Sequence, residues 1–222
     1  DLIDESGVLD NTEGTATEKV EQLIEKAEEL NVFMNITNAE RLFQYAENFP
    51  TKAVVNLPNA TKTSYTFADW NVESIPIVEE ITINAPKSEN MSGMFMSNKS
   101  VKKVVLKGLD SCKYMSTLFQ NATVLEEADL KFSTKNVVDF QGAFFNCYKL
   151  KTITDVLDFS SATRVAAFGY CNELEEVRFA TNSLSLSISL TQSSKLSANS
   201  IQSIIDGLKT LEEGATAQTL TL

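Results

Sequence analysis

Residues 118–130 read LFQNATVLEEADL, and the same arrangement of apolar residues returns 25 residues later as AFFNCYKLKTITD at residues 143–155. In each stretch a phenylalanine, Phe119 or Phe144, stands six residues before a leucine that opens the pattern Φ-x-x-Φ-x-Φ, where Φ is apolar. A repeat of this length is typical of a solenoid, in which each coil buries its apolar face against its neighbours. Five segments follow the pattern at spacings of 23, 24, 25 and 24 residues: VEEITI from Val78, VKKVVL from Val101, LEEADL from Leu125, LKTITD from Leu150 and LEEVRF from Leu174.

The repeat continues toward the N-terminus in a more divergent form. Phe67 precedes Val78 by eleven residues, which indicates a five-residue insertion around Trp70. Residues 38–55, NAERLFQYAENFPTKAVV, read as a sixth copy whose strand residues Ala53 and Val55 lie one place late. In this register a phenylalanine recurs in every coil, at Phe43, Phe67, Phe95, Phe119, Phe144 and Phe168.

A unit of about 24 residues with one short strand predicts an α/β solenoid, namely a right-handed leucine-rich-repeat coil with a parallel β-sheet of about six repeats. The closely spaced apolar residues of each pattern, such as Val104 and Leu106, point to the same side of a strand and should face the core. The recurring phenylalanine would fill the back of each coil from a turn or short helix. Asp155 stands where an inward apolar residue is expected, so the strand there should end early or bulge.

Helical segments are predicted at both ends of the solenoid. Thr15 and Glu18 form a capping box before apolar residues at helical spacing, and Ser197 is placed to cap a second helix. Residues 184–190 alternate apolar and small polar side chains, as a half-buried strand does. We predict one continuous structural domain, with an acidic segment and capping helix at 1–37, the solenoid at 38–195, and a capping helix with the start of a final strand at 196–222.

Charge and composition exclude several classes of function. The 222 residues include 19 Lys and Arg against 30 Asp and Glu, a net charge of −11, which argues against a nucleic-acid partner because phosphate contacts need clustered cations. The absence of histidine removes Ser-His-Asp and Cys-His catalysis and histidine-ligated metals. No apolar run is long enough to span a membrane, and the acidic start of the given chain is not a signal peptide.

The middle coils resemble the BspA-like leucine-rich repeats of bacterial surface proteins and the related Mycoplasma-type lipoprotein repeats, whose unit runs approximately N-M-S-x-M-F-x-x-C-x-x-L-x-x-L-x-L. NMSGMFMSNKSVKKVVL at residues 90–106 is similar to this unit, with Asn98 in the cysteine place, and the next three coils have Ala122, Cys147 and Cys171 there. Residues 196–222 also resemble the end segment of such proteins from gut bacteria and their phages. The resemblance implies an extracellular, cell-surface or virion-associated interaction protein, and it carries over no catalytic residue.

Paired carboxylates are the remaining route to an enzyme, because a glycosidase uses two of them. The acidic pairs of this chain, however, recur at one repeat position, where the coil between two of them has lysines: Glu79 and Glu80, Lys102 and Lys103, Glu126 and Glu127, Glu175 and Glu176. A repeated column is unlike a one-off active site, so we predict a protein that is not an enzyme, with carboxylate-dependent glycan hydrolysis as the remote alternative.

The cysteines indicate no cofactor or metal site. Cys112, Cys147 and Cys171 form no CxxC pair, and neither a cofactor motif nor a metal-ligand spacing is present. Cys147 and Cys171 each follow the repeat phenylalanine by three residues, so they should stack on adjacent coils. We predict that both are buried free thiols of the core.

The exposed side of the predicted sheet is the candidate partner-binding surface, because solenoids use their extended strand face for contacts. Together with the resemblance, it predicts an extracellular or cell-surface module, of a bacterium or a phage virion, that binds a protein or a glycan. The alternative is a passive spacer or virion decoration domain, since this face has no Trp or Tyr of the kind enriched in binding hot spots. The candidate contact residues are Glu80, Lys103, Glu127, Asp129, Thr152, Thr154, Glu176 and Arg178.

Overall fold

The computed structural model describes residues 36–46, 49–71, 73 and 75–222, and this part of the chain forms a parallel-strand β-solenoid. Six strands lie in one parallel sheet in chain order, so five turns of the solenoid separate the first strand from the last. They are β1 (Lys52–Asn56), β2 (Val78–Asn84), β3 (Val101–Lys107), β4 (Glu127–Lys131), β5 (Thr152–Leu157) and β6 (Glu176–Phe179).

Short elements complete the described fold. A 3-10 turn at Thr134–Asn136 follows β4, and α1 (Ala198–Gly207) packs on β6. The strand β7 (Ile188–Ser189) pairs in parallel with β8 (Leu220–Thr221). The predicted strand over residues 184–190 is therefore limited to two residues.

The predicted register of the sheet is confirmed. Val104 pairs with Ile81 of β2 and with Ala128 of β4, and all three side chains are fully buried. In the divergent first copy, Ala53 pairs with Ile81 and packs against the core, which confirms a strand that starts one place late. Trp70 from the predicted insertion is 1% exposed.

The wall opposite the sheet, here called the turn wall, is built from consecutive tight turns. Within a coil the turns close locally, as where Met94 N–H donates to the carbonyl of Met91 at 3.1 Å. Alternate residues donate to the next coil, as Gly93 N–H does to the Ser116 carbonyl at 2.9 Å. Because local and inter-coil hydrogen bonds alternate, pairs of left-handed residues recur four apart, such as Gly93 with Ser97 and Thr117 with Asn121.

The recurring phenylalanines form one continuous stack through the core. From Phe43 to Phe168, neighbouring ring centroids are 5.1–5.7 Å apart and the ring planes are inclined by 4–28°. Phe119 and Phe144 are fully buried, which confirms the repeat alignment. Each ring contacts the rings of the coils before and after it, so the stack links all the coils along the axis of the solenoid.

Side chains at the cysteine place of the repeat donate hydrogen bonds in addition to filling the core. The thiols of Cys147 and Cys171 donate to the carbonyls of Phe119 and Phe144 in the preceding coil, both at 3.1 Å. In the equivalent place Asn98 Nδ2 donates to the Phe67 carbonyl at 2.9 Å. The interpretation of these cysteines as core filler is therefore incomplete, because the position supplies a donor to a buried carbonyl.

All three cysteines are buried free thiols, as predicted for Cys147 and Cys171. Burial raises the pKa of Cys112 to about 11 and that of Cys171 to about 12, and it raises the pKa of Cys147 as well. These thiols are therefore protonated at neutral pH, which suits a hydrogen-bond donor and disfavours a nucleophile.

The C-terminal helix seals the last strand of the sheet. Ser197 caps α1 as predicted, and its hydroxyl accepts a hydrogen bond from Ser200 N–H at 3.1 Å. The hydroxyls of Ser200 and Ser203 then accept from the N–H groups of Val177 and Phe179 on the open edge of β6, at 3.0 and 2.8 Å. The predicted N-terminal capping helix, with Thr15 and Glu18, lies outside the described residues.

Truncation of a ring in the middle of the stack tests its contribution. We expect Phe119→Ala to lower the free energy of unfolding by about 3–5 kcal/mol, because a large buried side chain and its ring contacts with Phe95 and Phe144 are lost. Urea unfolding followed by circular dichroism measures this. A loss below about 1 kcal/mol would contradict a continuous supporting stack.

Candidate functional site

The strand face, defined here as the outward side chains of β1–β6, is largely self-paired in its first row. Lys103 Nζ lies 3.1 Å from a carboxylate oxygen of Glu127 and 3.6 Å from one of Glu80. Thr152 pairs in register with Glu127 on one side and Glu176 on the other. Of the eight predicted contact residues, these five therefore form one lateral row, in which Lys103 compensates Glu80 and Glu127 while Glu176 lies beside the uncharged Thr152.

A second charged row runs beside the first, at the place after the leading apolar residue of each coil. Lys102 Nζ lies 2.9 Å from Glu79, and Lys151 Nζ lies 2.9 Å from Glu126. The hydrogen bond to the partner carboxylate is the main cause that raises the pKa of each lysine, and the Lys151 bond is the main cause that lowers the pKa of Glu126. These alternating charges contribute to the register of the coils. They do not form an acidic column with the arrangement of an active site.

The next outward row of the strand face is nearly closed to solvent. Thr82, Val105 and Asp129 lie side by side in register and are only 4–7% exposed. The larger side chains around them leave the middle of the sheet smooth. A partner that contacts this region therefore meets few free side chains, except at β1, where Val54 of this row is 45% exposed, and where the row is interrupted at β5.

The sheet is interrupted once, by a bulge in β5. Thr152 pairs with Glu176 and Val156 pairs with Arg178, so four steps along β5 match two steps along β6. The expectation that the strand ends early or bulges at Asp155 is thus met by a bulge. Asp155 is half-buried and Val156 is 44% exposed, so the extra residues add a polar and an apolar side chain to the strand face, on which Val54 of β1 is 45% exposed as well.

A hydrogen-bonded cluster surrounds the bulge. Thr154 Oγ1 donates to Asp129 Oδ1 at 2.6 Å and lies 3.4 Å from Asp155 Oδ2. Lys131 Nζ lies 3.1 Å from the other oxygen of Asp129, and the exposed Arg178 donates to the Thr154 carbonyl. Asp129, Thr154 and Arg178 were predicted as contact residues, and the structure brings these three together.

The pKa values of the two carboxyl groups in the cluster are shifted in opposite directions. Burial, and then the contact with Asp129, raises the pKa of Asp155. Burial alone would also raise the pKa of Asp129, but the hydrogen bonds from Thr154, Lys131 and Asp155 outweigh it and lower this pKa. Of the two carboxyl groups, Asp129 is therefore the one that ionises at the lower pH.

This pair does not have the spacing of a glycosidase site. A retaining glycosidase holds its carboxyl groups about 5 Å apart and an inverting enzyme holds them farther apart. Asp129 and Asp155 are in hydrogen-bond contact with each other, and both oxygens lie against Thr154 Oγ1. Among the described residues, no group of three or more Cys, Asp or Glu side chains is arranged to hold a metal ion.

Sequence reasoning did not identify Asp155 and Val156 as surface residues. The signal was present, because Leu157 lies four residues after Ile153, whereas the other strands place their second core residue two after the first. An insertion of two residues in the strand therefore shifts the inward register from Asp155 to the fully buried Leu157.

Comparisons with known proteins give no relatives. No protein-family model matches this chain, and no curated protein and no solved structure matches it either. None of the helices in the described part of the chain has the length and apolar character needed to cross a membrane.

Charge reversal in the first row tests whether lateral pairing stabilises the solenoid. We expect Lys103→Glu to lower the urea midpoint at low salt, because two opposite-charge contacts, with Glu80 and Glu127, become like-charge contacts. Most of the loss should disappear near 1 M salt, where the screening length is about 3 Å. Lys107→Glu is the matched control, since this exposed lysine of the same strand has no ion pair among the described residues. A salt-independent loss would contradict the electrostatic explanation.

Replacement of Asp155, the carboxyl group whose pKa is raised, tests the opposite pKa shifts of Asp155 and Asp129. The folded-state pKa of Asp155 lies above its unfolded value of about 3.9, so stability is lost as the pH rises through the folded pKa. We expect Asp155→Asn to raise the urea midpoint at pH 7, with a gain that shrinks toward pH 3. Asp129→Asn should do the opposite at pH 7, because its charged form is the stabilised one. A loss of stability at pH 7 for Asp155→Asn would contradict this assignment.

Proposed function

We propose that this chain is a non-enzymatic interaction module of a bacterial or phage surface, of the BspA-like leucine-rich-repeat type, and that it binds an extracellular protein or glycan through its strand face. The repeat of about 24 residues, with one strand in each coil, supports this class. The similarity of residues 90–106 to the repeat unit of that family is the support for a surface location.

The β5 bulge is the observation that carries the proposal. The other outward rows repeat from coil to coil, and their lysines pair with carboxylates of neighbouring coils. The bulge breaks the repeat, matches four residue steps of β5 to two of β6, and exposes Val156, which pairs in register with Arg178. Arginine is one of the residues enriched in the hot spots of protein contacts.

The rival spacer function would need no such departure from the repeat. A spacer is served by an uninterrupted polar face, and an interruption of the sheet costs hydrogen bonds between strands. Bulges are enriched next to functional sites, so a single bulge at the centre of a charged cluster favours recognition. Hydrolysis of a glycan has less support, since the carboxyl pair at the bulge is too close.

Binding to soluble matrix proteins and surface glycans immobilised in an array tests this function. We expect Arg178→Glu to weaken binding at least tenfold, because the exposed cation at the bulge is reversed. Lys52→Glu is the matched control, with the same change of charge on the same sheet but five strands away, about 24 Å. Arg178→Gln separates loss of the cation from repulsion by the nearby carboxylates.

Two results would contradict the proposal. One is the absence of any saturable binding across the array, which would favour the spacer function. The other is equal loss of binding in the Arg178 and Lys52 variants, which would mean that the bulge is not the centre of the contact. Circular dichroism spectra and urea midpoints of each variant show whether the fold is retained.

A further inference from the structure

A second concave surface lies on the turn wall, on the other side of the core from the strand face. It is a groove of about 510 Å³ whose floor is formed by Thr117 and Gly142, in neighbouring coils. Both residues have left-handed backbone angles, with φ of 54° and 69°. The volume falls within the range of small-molecule sites, about 300–1,000 Å³.

The groove ends at an aromatic ring on each side. At one end the ring of Tyr65 lies over Gly93, where an added Cβ would be 2.5 Å from the ring, and Arg41 stacks on the other side of Tyr65 at 4.8 Å. At the other end Phe145 covers Gly169 in the same manner. Each ring thus occupies the space left by a glycine in the following coil, which fixes the ring in place.

The floor between the two rings is open because no aromatic ring covers Gly142, unlike Gly93 and Gly169. Tyr65, Gly93, Thr117 and Gly142 follow each other in one column of the turn wall. Thr117 precedes Gly142 as Tyr65 precedes Gly93, but its short side chain only touches the edge, with Cγ2 3.5 Å from an added Cβ. From the ring over Gly93 to the coil of Arg164 the groove spans three coils, about 14 Å.

The polar side chains of the groove are available for a ligand. Gln120 and Gln141 line it, and neither side-chain amide has a hydrogen-bond partner among the described residues. Each amide offers donors and an acceptor. The charge of Arg164 is compensated by Asp139, whose Oδ2 lies 2.9 Å from the guanidinium. Among the described residues, Arg164 is the one ionised side chain that lines the groove, so this lining carries little net charge.

We propose that this groove binds a neutral oligosaccharide of about three sugar units. A sugar has apolar ring faces that pack on aromatic rings and hydroxyls that both donate and accept hydrogen bonds. The groove supplies an aromatic side chain at each end, Phe145 and the edge of Tyr65, whose two faces are covered by Gly93 and Arg41. Amides and hydroxyls lie along its length, and the described residues that line it carry no uncompensated charge. The site is distinct from the strand-face contact, so it goes beyond the proposed function and does not rest on it.

The repeat itself provides the blocking variant. Thr117→Tyr introduces a tyrosine into the floor of the groove. The same column already contains a tyrosine, Tyr65, whose left-handed φ of 57° is similar to that of Thr117. The new ring would lie over Gly142 as that of Tyr65 lies over Gly93, and it would fill the groove. Thr117→Asn is the matched control, because asparagine accepts this backbone conformation and leaves the floor open.

Titration with cellohexaose, maltohexaose, mannohexaose and chitohexaose, followed by calorimetry and saturation-transfer NMR, tests the proposal. We expect saturable binding of at least one of these probes. That binding should fall at least tenfold in Thr117→Tyr and in the double variant Gln120→Ala with Gln141→Ala. It should stay within about twofold in Thr117→Asn and in Arg178→Glu.

Three outcomes would overturn the proposal. The first is the absence of saturable binding for all four probes. The second is binding that Thr117→Tyr leaves unchanged while its circular dichroism spectrum is native. The third is loss of binding in Arg178→Glu but not in Thr117→Tyr, which would move the sugar site to the strand face and support the proposed function instead.

Discussion

Hydrogen bonding between coils on both walls is the constraint on which the rest of this molecule depends. The strands pair in register on one wall, and alternate residues of the turns donate to the next coil on the other. Each coil must therefore copy the backbone path of the one before it. Because the backbone path is copied, side chains at equivalent positions of successive coils form columns. Neighbouring side chains in a column must therefore pack against each other favourably.

The columns solve this requirement in different ways. Phenylalanines stack face to face, and Asn98, Cys147 and Cys171 each donate to a carbonyl of the preceding coil. Charged columns alternate in sign, as from Glu80 through Lys103 to Glu127. The shared role of donor explains why residues as different as asparagine and cysteine occupy this place in three coils, while Ala122 occupies it in the fourth without a side-chain donor.

Periodicity made the core and the sheet predictable, and it could not reveal where the repeat departs from itself. The positions of Phe119, Val104 and Ala53 follow from spacing alone, because in-register stacking leaves them no alternative. The bulge at Asp155 was visible as a broken pattern, but the clustering of Asp129 and Arg178 around it depends on how two extra residues are absorbed in three dimensions. The groove on the turn wall depends on which residues with a left-handed backbone conformation have large side chains. The apolar repeat pattern does not predict these residues.

Most of the inter-coil hydrogen bonds of the turn wall run in one direction. From Ala39 to Asn146, the tight turns place the N–H on the earlier coil and the carbonyl on the later one, whereas one residue ahead of the turns of each following coil donates back to the preceding coil, namely Thr61, Glu89, Lys113 and Val138. The peptide dipoles add along the solenoid, as they do in an α-helix, so this wall is electrically polarised from end to end. N–H groups face the C-terminal end, where Tyr170 N–H donates to Gln192 Oε1 at 3.1 Å. Two such walls could extend each other head to tail, whereas a two-fold contact between like ends would oppose donor to donor.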